Sequence, residues 1–119
     1  MDVRLVSAED NWTQYQLVGD ISGVAISGEG KTPLSPLNLP DERLDKHILF
    51  DLNDATFLDS SGIGWLLSVN RAAKEQGYGV VVQSVPPLIN RVFSMMRLGE
   101  VIPVVDGFDE ALNHIASTN

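Results

Sequence analysis

The stretch HILFDLNDATFLDSSGIGWLL, His47 to Leu67, decides how this chain folds. HILFDL, His47 to Leu52, is a short and nearly continuous apolar run, as expected of a strand buried on both faces. At the other end Ile63, Leu66 and Leu67 stand at helical spacing, and the pattern continues through Asn70 and Ala73. Asp59, Ser60, Ser61 and Gly62 lead into that helix. Each of the first three carries an oxygen that can cap a helix by accepting a free backbone N–H. Gly62 and Gly64 permit a tight turn out of the preceding segment. A helix start also presents unpaired N–H donors and positive partial charge, which suits a phosphoryl group. A phosphoserine there would add about −1.5 to −2 charge without opposing the helix dipole, although Asp59 beside it would repel it.

Downstream, Gly77 is a good helix stop, and YGVVVQSV, Tyr78 to Val85, reads as a second buried strand. PPLINRVFSMMRLG begins with proline and ends on Gly99, as a helix should. Leu88, Val92, Met95, Met96 and Leu98 give its apolar face. VIPVV, Val101 to Val105, reads as an edge strand because Pro103 cannot donate to a ladder, and GFDEALNHIAS as a terminal helix.

Upstream, VRLVSA (Val3 to Ala8) and TQYQLVG (Thr13 to Gly19) alternate around the turn EDNW and predict a hairpin. GVAIS, from Gly23, is a candidate third strand. The segment after it contains Pro33, Pro36 and Pro40 and reads as irregular, with one helical turn near Asp41 to Leu44. From residue 47 the order is βαβαβα, which implies parallel strands joined by crossover helices. The expected fold is α/β: a mixed β-sheet with helices packed on it, a hairpin followed by βαβαβα, in a single domain over residues 1–119.

The composition excludes several function classes. The chain has 119 residues, 44% hydrophobic and 20% charged, as in ordinary soluble domains. No apolar run approaches the roughly 18 residues of a membrane span, and MDVRLVSAED lacks signal-peptide organisation. A cytoplasmic location without membrane insertion is therefore expected. With no cysteine there is no disulfide, thiolate chemistry or cysteine metal site. A net charge of −8 argues against nucleic acid and for a partner with a basic surface.

Three catalytic or cofactor readings fail on pattern. AISGEGKT, Ala25 to Thr32, satisfies a relaxed phosphate-loop rule, but the mechanism needs Lys31 and Thr32 to open a helix. Pro36 and Pro40 oppose that, so a polar surface loop is expected. A hydrolase elbow needs Gly-x-Ser-x-Gly, and Leu58 and Asp59 stand where the leading glycine would fall. The two histidines offer no evident triad: His47 reads as a solvated strand end and His114 as part of an exposed helix face. Scattered carboxylates show no metal-ligand spacing. The chain is expected to be no enzyme and to need no cofactor or metal.

In these residues the chain resembles the STAS domains, the family of the anti-anti-sigma factors (anti-sigma factor antagonists). LVGDI, Leu17 to Ile21, looks like the family's Leu-x-Gly-x-Leu strand end. ILFDLNDATFLDSSGIGWLL looks like its central block of strand, Asp-Leu, short link, Asp-Ser-Ser-Gly and helix. VVVQSVPPLINRVFSMMRLGEVIPVVDGFDEAL looks like its closing strand-helix-strand-helix. The resemblance implies a non-enzymatic binding switch. When unphosphorylated, such a protein binds an anti-sigma factor that is also a serine kinase. Phosphorylation of the serine after the aspartate, here Ser60, weakens binding, and a PP2C-type phosphatase reverses it. Asp59, Ser61 and Gly62 would form the loop around Ser60. A homodimer is compatible with the resemblance.

The chain departs from the family between residues 22 and 45. Ser22 stands where the family usually has aspartate, and Gly23 to Asp45 replaces an amphipathic helix. The residues also allow two other readings. One is a constitutive STAS subunit of a transport or scaffold complex, with the serine turn serving only as a helix cap. The other is a small-molecule sensor with a pocket beside the irregular segment.

Overall fold

The computed structural model describes residues 1–22, 32–39 and 43–117. Strands β1 (Asp2–Ala8) and β2 (Trp12–Ile21) form the expected antiparallel hairpin, with an irregularity in register between Leu5 and Ser7. Strand β2 then pairs in parallel with β3 (His47–Asp51), Trp12 facing His47 and Gln16 facing Asp51. A short β4 (Ala55–Leu58) leads into helix α1 (Ser60–Glu75). After α1, β5 (Val80–Gln83) adds in parallel to the far side of β3. Helix α2 (Pro87–Met95) leads to β6 (Val104–Val105), parallel to β5, and α3 (Phe108–Ala116) comes last.

Strand β4 is not evident from the sequence pattern. It lies in the link after Leu52 and pairs in parallel with the end of β2, Ile21 facing Leu58. The sheet has six strands in the order β1-β2-β3-β5-β6, with β4 on β2 beyond that path. The mixed α/β architecture is as expected, with β4 added to its order.

Strand alternation divides the core in two. Tyr15, Leu17, Ile48, Phe50, Val80 and Val82 face a large cluster completed by Trp65, Leu66 and Val69 of α1 and Ile89 and Phe93 of α2. Leu49 and Val81 point the other way and meet Ala111 and Ile115 of α3. Leu34, Leu37 and Leu44 of the irregular segment also enter the larger cluster. Trp65 Nε1 donates to the Pro33 carbonyl at 2.8 Å, and Leu44 N–H donates to Gln76 Oε1 at 2.7 Å. The described residues of the segment thus cover part of the core through these leucines and hydrogen bonds.

Two helix ends differ in how they stop. Gly77 comes after α1 with a left-handed φ of +87°, and its N–H reaches Lys74 O, as a glycine at this position predicts. Helix α2 ends before Gly99. Arg97 takes the left-handed conformation (φ +53°), a 3-10 turn covers Leu98–Glu100, and Leu98 turns into the core. The final strand is correspondingly shorter than Val101 to Val105. Pro103 lies outside it but still accepts Val82 N–H through its carbonyl at 2.9 Å.

The candidate strand at 23–27 and the phosphate-loop-like residues 25–31 lie outside the described residues, as do Asp41 and Glu42 of the expected helical turn. Thr32 is described, and the chain beyond it forms a 3-10 turn, Ser35–Leu37, with Thr32 N–H donating to Ser35 Oγ at 2.8 Å. Among the described residues 32–39 there is no α-helix that could hold a phosphate. Among the described residues no helix is long and apolar enough to cross a membrane.

Candidate functional site

The serine turn sits where β4 runs into α1. Asp59 has extended backbone and is the N-cap, so of the three candidates it is the aspartate that caps the helix. Its Oδ1 accepts the Ser61 hydroxyl at 2.7 Å and the Gly62 N–H at 3.0 Å. The Ser61 hydroxyl and then the Gly62 N–H stabilise the ionised carboxylate, holding its pKa below the usual value. That contribution to stability is complete above the unfolded-state value and is lost as pH falls through the lowered folded-state value.

Ser60 is the first residue of α1 and is exposed, while Ser61 is half-buried. The two hydroxyls are therefore unequal, Ser61 being bound to the cap and Ser60 lying at the surface. A helix of 16 residues begins at that surface, with no acidic residue in its first turn.

Gly62 fixes the turn against the sheet. A Cβ there would collide with the Ile21 carbonyl oxygen and lie 2.8 Å from Leu58 Cδ1. Asp59 N–H donates to the same Ile21 carbonyl at 3.4 Å. The start of α1 is thus held against the end of β2, immediately before Ser22, the position at which the sequence departs from the family pattern. Sequence reasoning gives Gly62 freedom to turn; its contact with β2 adds a requirement for no side chain.

The histidines need two corrections. His47 is not a solvated strand end. It is buried, its Nδ1 accepts Gly79 N–H at 2.9 Å, and its ring meets Tyr78 edge-on with centroids 5.5 Å apart. Desolvation lowers its pKa below 6.5. His114 is half-buried rather than on a fully exposed face. His47 opens β3 at the amino edge of the parallel strands, whereas Ser60 lies past the carboxyl end of β4, so the chain does not assemble a triad from them.

The His47 burial predicts a pH effect. The unfolded chain takes up a proton below about pH 6.5 more readily than the folded chain. Stability is expected to be full above that value and to decline as pH falls from it toward the folded-state pKa. His47→Asn keeps an acceptor for Gly79 and removes the titration. Urea midpoints at pH 7.5 and 5.5 should differ less in that variant than in the parent; an equal difference would refute a role for His47.

Among the described residues no group of three or more His, Asp or Glu is gathered as a metal centre. An open groove of about 500 Å³ does lie beside the irregular segment, between Val3, Leu5 and Tyr15 of the hairpin and Pro36, Leu37 and Leu39.

The fold and site together are those of a mixed-sheet α/β domain in which β4, paired to the end of β2, runs into a serine turn at the start of α1. The STAS domain family model matches residues 4–111, and this chain belongs to that family. The anti-sigma F factor antagonist of Paenibacillus polymyxa is 30% identical over 70 residues, which span 59% of this chain and 60% of that protein. The unphosphorylated anti-sigma factor antagonist SpoIIAA superposes with a TM-score of 0.64 at 16% identity, covering 96% of this chain and 97% of that one. An anti-sigma-factor antagonist (STAS) domain protein from Planctomyces limnophilus gives 0.68 at 22% identity, with 98% and 99% coverage. A sulfate transporter family protein from Wolinella succinogenes gives 0.61 at 14% identity, with 90% and 86% coverage. At these identities the structural likenesses establish the fold alone.

Proposed function

We propose that this chain, acting as one STAS unit in the cytoplasm, is a non-enzymatic protein-binding regulator switched by phosphorylation of Ser60. Unphosphorylated, it binds an anti-sigma factor that is also a serine kinase. The kinase transfers a phosphoryl group to Ser60 Oγ, binding weakens, and a PP2C-type phosphatase restores the hydroxyl. Asp59, Ser61 and Gly62 hold the loop that the partner reads.

The observation that carries this reading is the division of labour in the turn: Asp59 caps the helix, Ser61 is bound to Asp59, and Ser60 is exposed at the helix start. A phosphoryl group on Ser60 would meet the favourable end of the helix dipole and the unfavourable carboxylate of Asp59. The fold would tolerate it, so the change falls on the partner contact. Helix α2 also exposes an apolar stripe that a protein partner could cover. Leu88 and Met95 of α2 are 64% and 82% exposed, with half-buried Val92 between them at helical spacing. Helix α2 packs on β4, the strand that leads into Asp59. The Paenibacillus relative's designation as an anti-sigma F factor antagonist supports the partner class.

Incubation with the cognate kinase and ATP, followed by peptide mass spectrometry, is expected to place phosphate on Ser60. Ser60→Asp should weaken partner binding at least tenfold. Phosphate absent from Ser60 and Ser61, with binding unchanged in Ser60→Asp, would overturn the proposal.

A non-switched subunit of a transport or scaffold complex is the second reading. It is favoured by a cap that is complete without the Ser60 side chain. In that case Ser60→Ala and Ser60→Asp leave assembly intact, and Ser60→Ala changes stability by no more than about 0.5 kcal/mol.

A further inference from the structure

At the edge of the sheet opposite the serine turn, α1, α3 and the start of β5 line a partly open cavity of about 160 Å³. Val80, Val81, Pro103 and Ile115 form apolar walls. His47, Asn70, Lys74 and His114 supply the polar ones. Asn70 is only 4% exposed and lines the cavity, and its amide atoms are not among the fully buried polar atoms that lack a partner, so they keep some contact with solvent. The amide is thus an available donor and acceptor on the cavity wall. His47 already uses Nδ1 on Gly79, which leaves Nε2–H as the neutral ring's donor.

Lys74 lies one helical turn beyond Asn70 and is exposed at the mouth. A shallower depression continues from it past Arg71, with Glu75 as its carboxylate. Along this mouth two cations stand against one carboxylate, in a chain with 8 Lys and Arg and 16 Asp and Glu. Polar groups and a cation at one side, with branched aliphatic walls at the other, select an amphipathic anion. An apolar cavity of about 150 Å³ holds a guest the size of benzene, so a ligand here has roughly six to eight non-hydrogen atoms.

We propose that this cavity binds a short-chain aliphatic carboxylate. The tail lies against Val80, Val81 and Pro103, and the carboxylate accepts from the Asn70 amide with the Lys74 ammonium beside it. The site is separate from the serine turn and does not depend on its role.

The test is a titration of the ¹⁵N-labelled chain with sodium pentanoate. 1-Pentanol supplies the same tail without charge, and inorganic phosphate supplies charge without the tail. Pentanoate is expected to give saturable shifts at Asn70, Gly79 to Val81 and Ile115, with either control at least tenfold weaker. Asn70→Leu replaces the amide with an apolar group of similar size and should leave the chain folded, which urea denaturation checks. It should lose at least tenfold in affinity, and Lys74→Met should weaken binding several-fold. No saturable shifts at about 20 mM, above the millimolar range expected of so small a ligand, would overturn the proposal. An equal response to either control would do so too, as would unchanged affinity in both variants.

Discussion

Gly62→Ala is expected to destabilise the protein by about 3 kcal/mol or more, the upper end of the usual cost of overpacking. The added methyl group would meet the Ile21 carbonyl, which is backbone, and Leu58 Cδ1 at 2.8 Å. Neither side has an easy escape. Ile21 is the last residue of β2, and Leu58 is its partner across the β2–β4 ladder. Relief would require α1 to move off the sheet, and α1 carries Trp65, Leu66, Val69 and Ala73 into the core. For a domain whose total stability is about 5–15 kcal/mol this is a large fraction, with a fall in Tm of about 10 °C. Gly64 is the control on the same helix. A Cβ there has nothing within 4 Å, so Gly64→Ala should stabilise by about 0.5–1 kcal/mol through helix propensity alone. Urea denaturation of the two variants checks the contrast. Similar midpoints for both would show that the Ile21 contact does not constrain α1.

Trp65 should give an effect of similar size by another route. Its side chain is fully buried and its ring packs against Phe50 at a centroid distance of 5.6 Å. Trp65→Ala is expected to cost about 3–5 kcal/mol from lost burial and the cavity left behind. Trp65→Phe separates the ring from its donor. Phenylalanine keeps much of the apolar contact but leaves the Pro33 carbonyl without the 2.8 Å hydrogen bond from Nε1. That change should cost about 1–3 kcal/mol and loosen residues 32–39 more than the sheet. Hydrogen exchange would show faster exchange at Leu37 and Asn38, whose N–H groups bond within the 3-10 turn, with little change at Phe50 and Val82. Uniform acceleration across the chain would mean that Trp65 holds the whole core and has no special tie to that segment.

The sequence alone determined the frame of this fold. Buried strands at His47 to Asp51 and Val80 to Gln83 are runs of apolar residues, and α1 has a periodic face with capping residues before it and Gly77 after it. These signals are local: they depend on neighbours within a turn or a strand. The Asp59 to Gly62 turn was legible for the same reason.

What the tertiary structure decided depends on residues far apart in the chain. Strand β4 is four residues long, too short for a periodic signal, and is defined by pairing with β2 more than thirty residues earlier. His47 looks like a polar strand end until Gly79 supplies its hydrogen bond and Tyr78 covers its ring. The choice of Asp59 as the cap, which leaves Ser60 exposed, comes from hydrogen-bond geometry that three equally good capping residues cannot express in sequence. The strict need for glycine at position 62 comes from the Ile21 carbonyl, and the cavity beside Asn70 from the meeting of α1, α3 and β5. Local patterning selected the elements; close contacts between distant segments determined which side chains were buried, bonded or left at the surface.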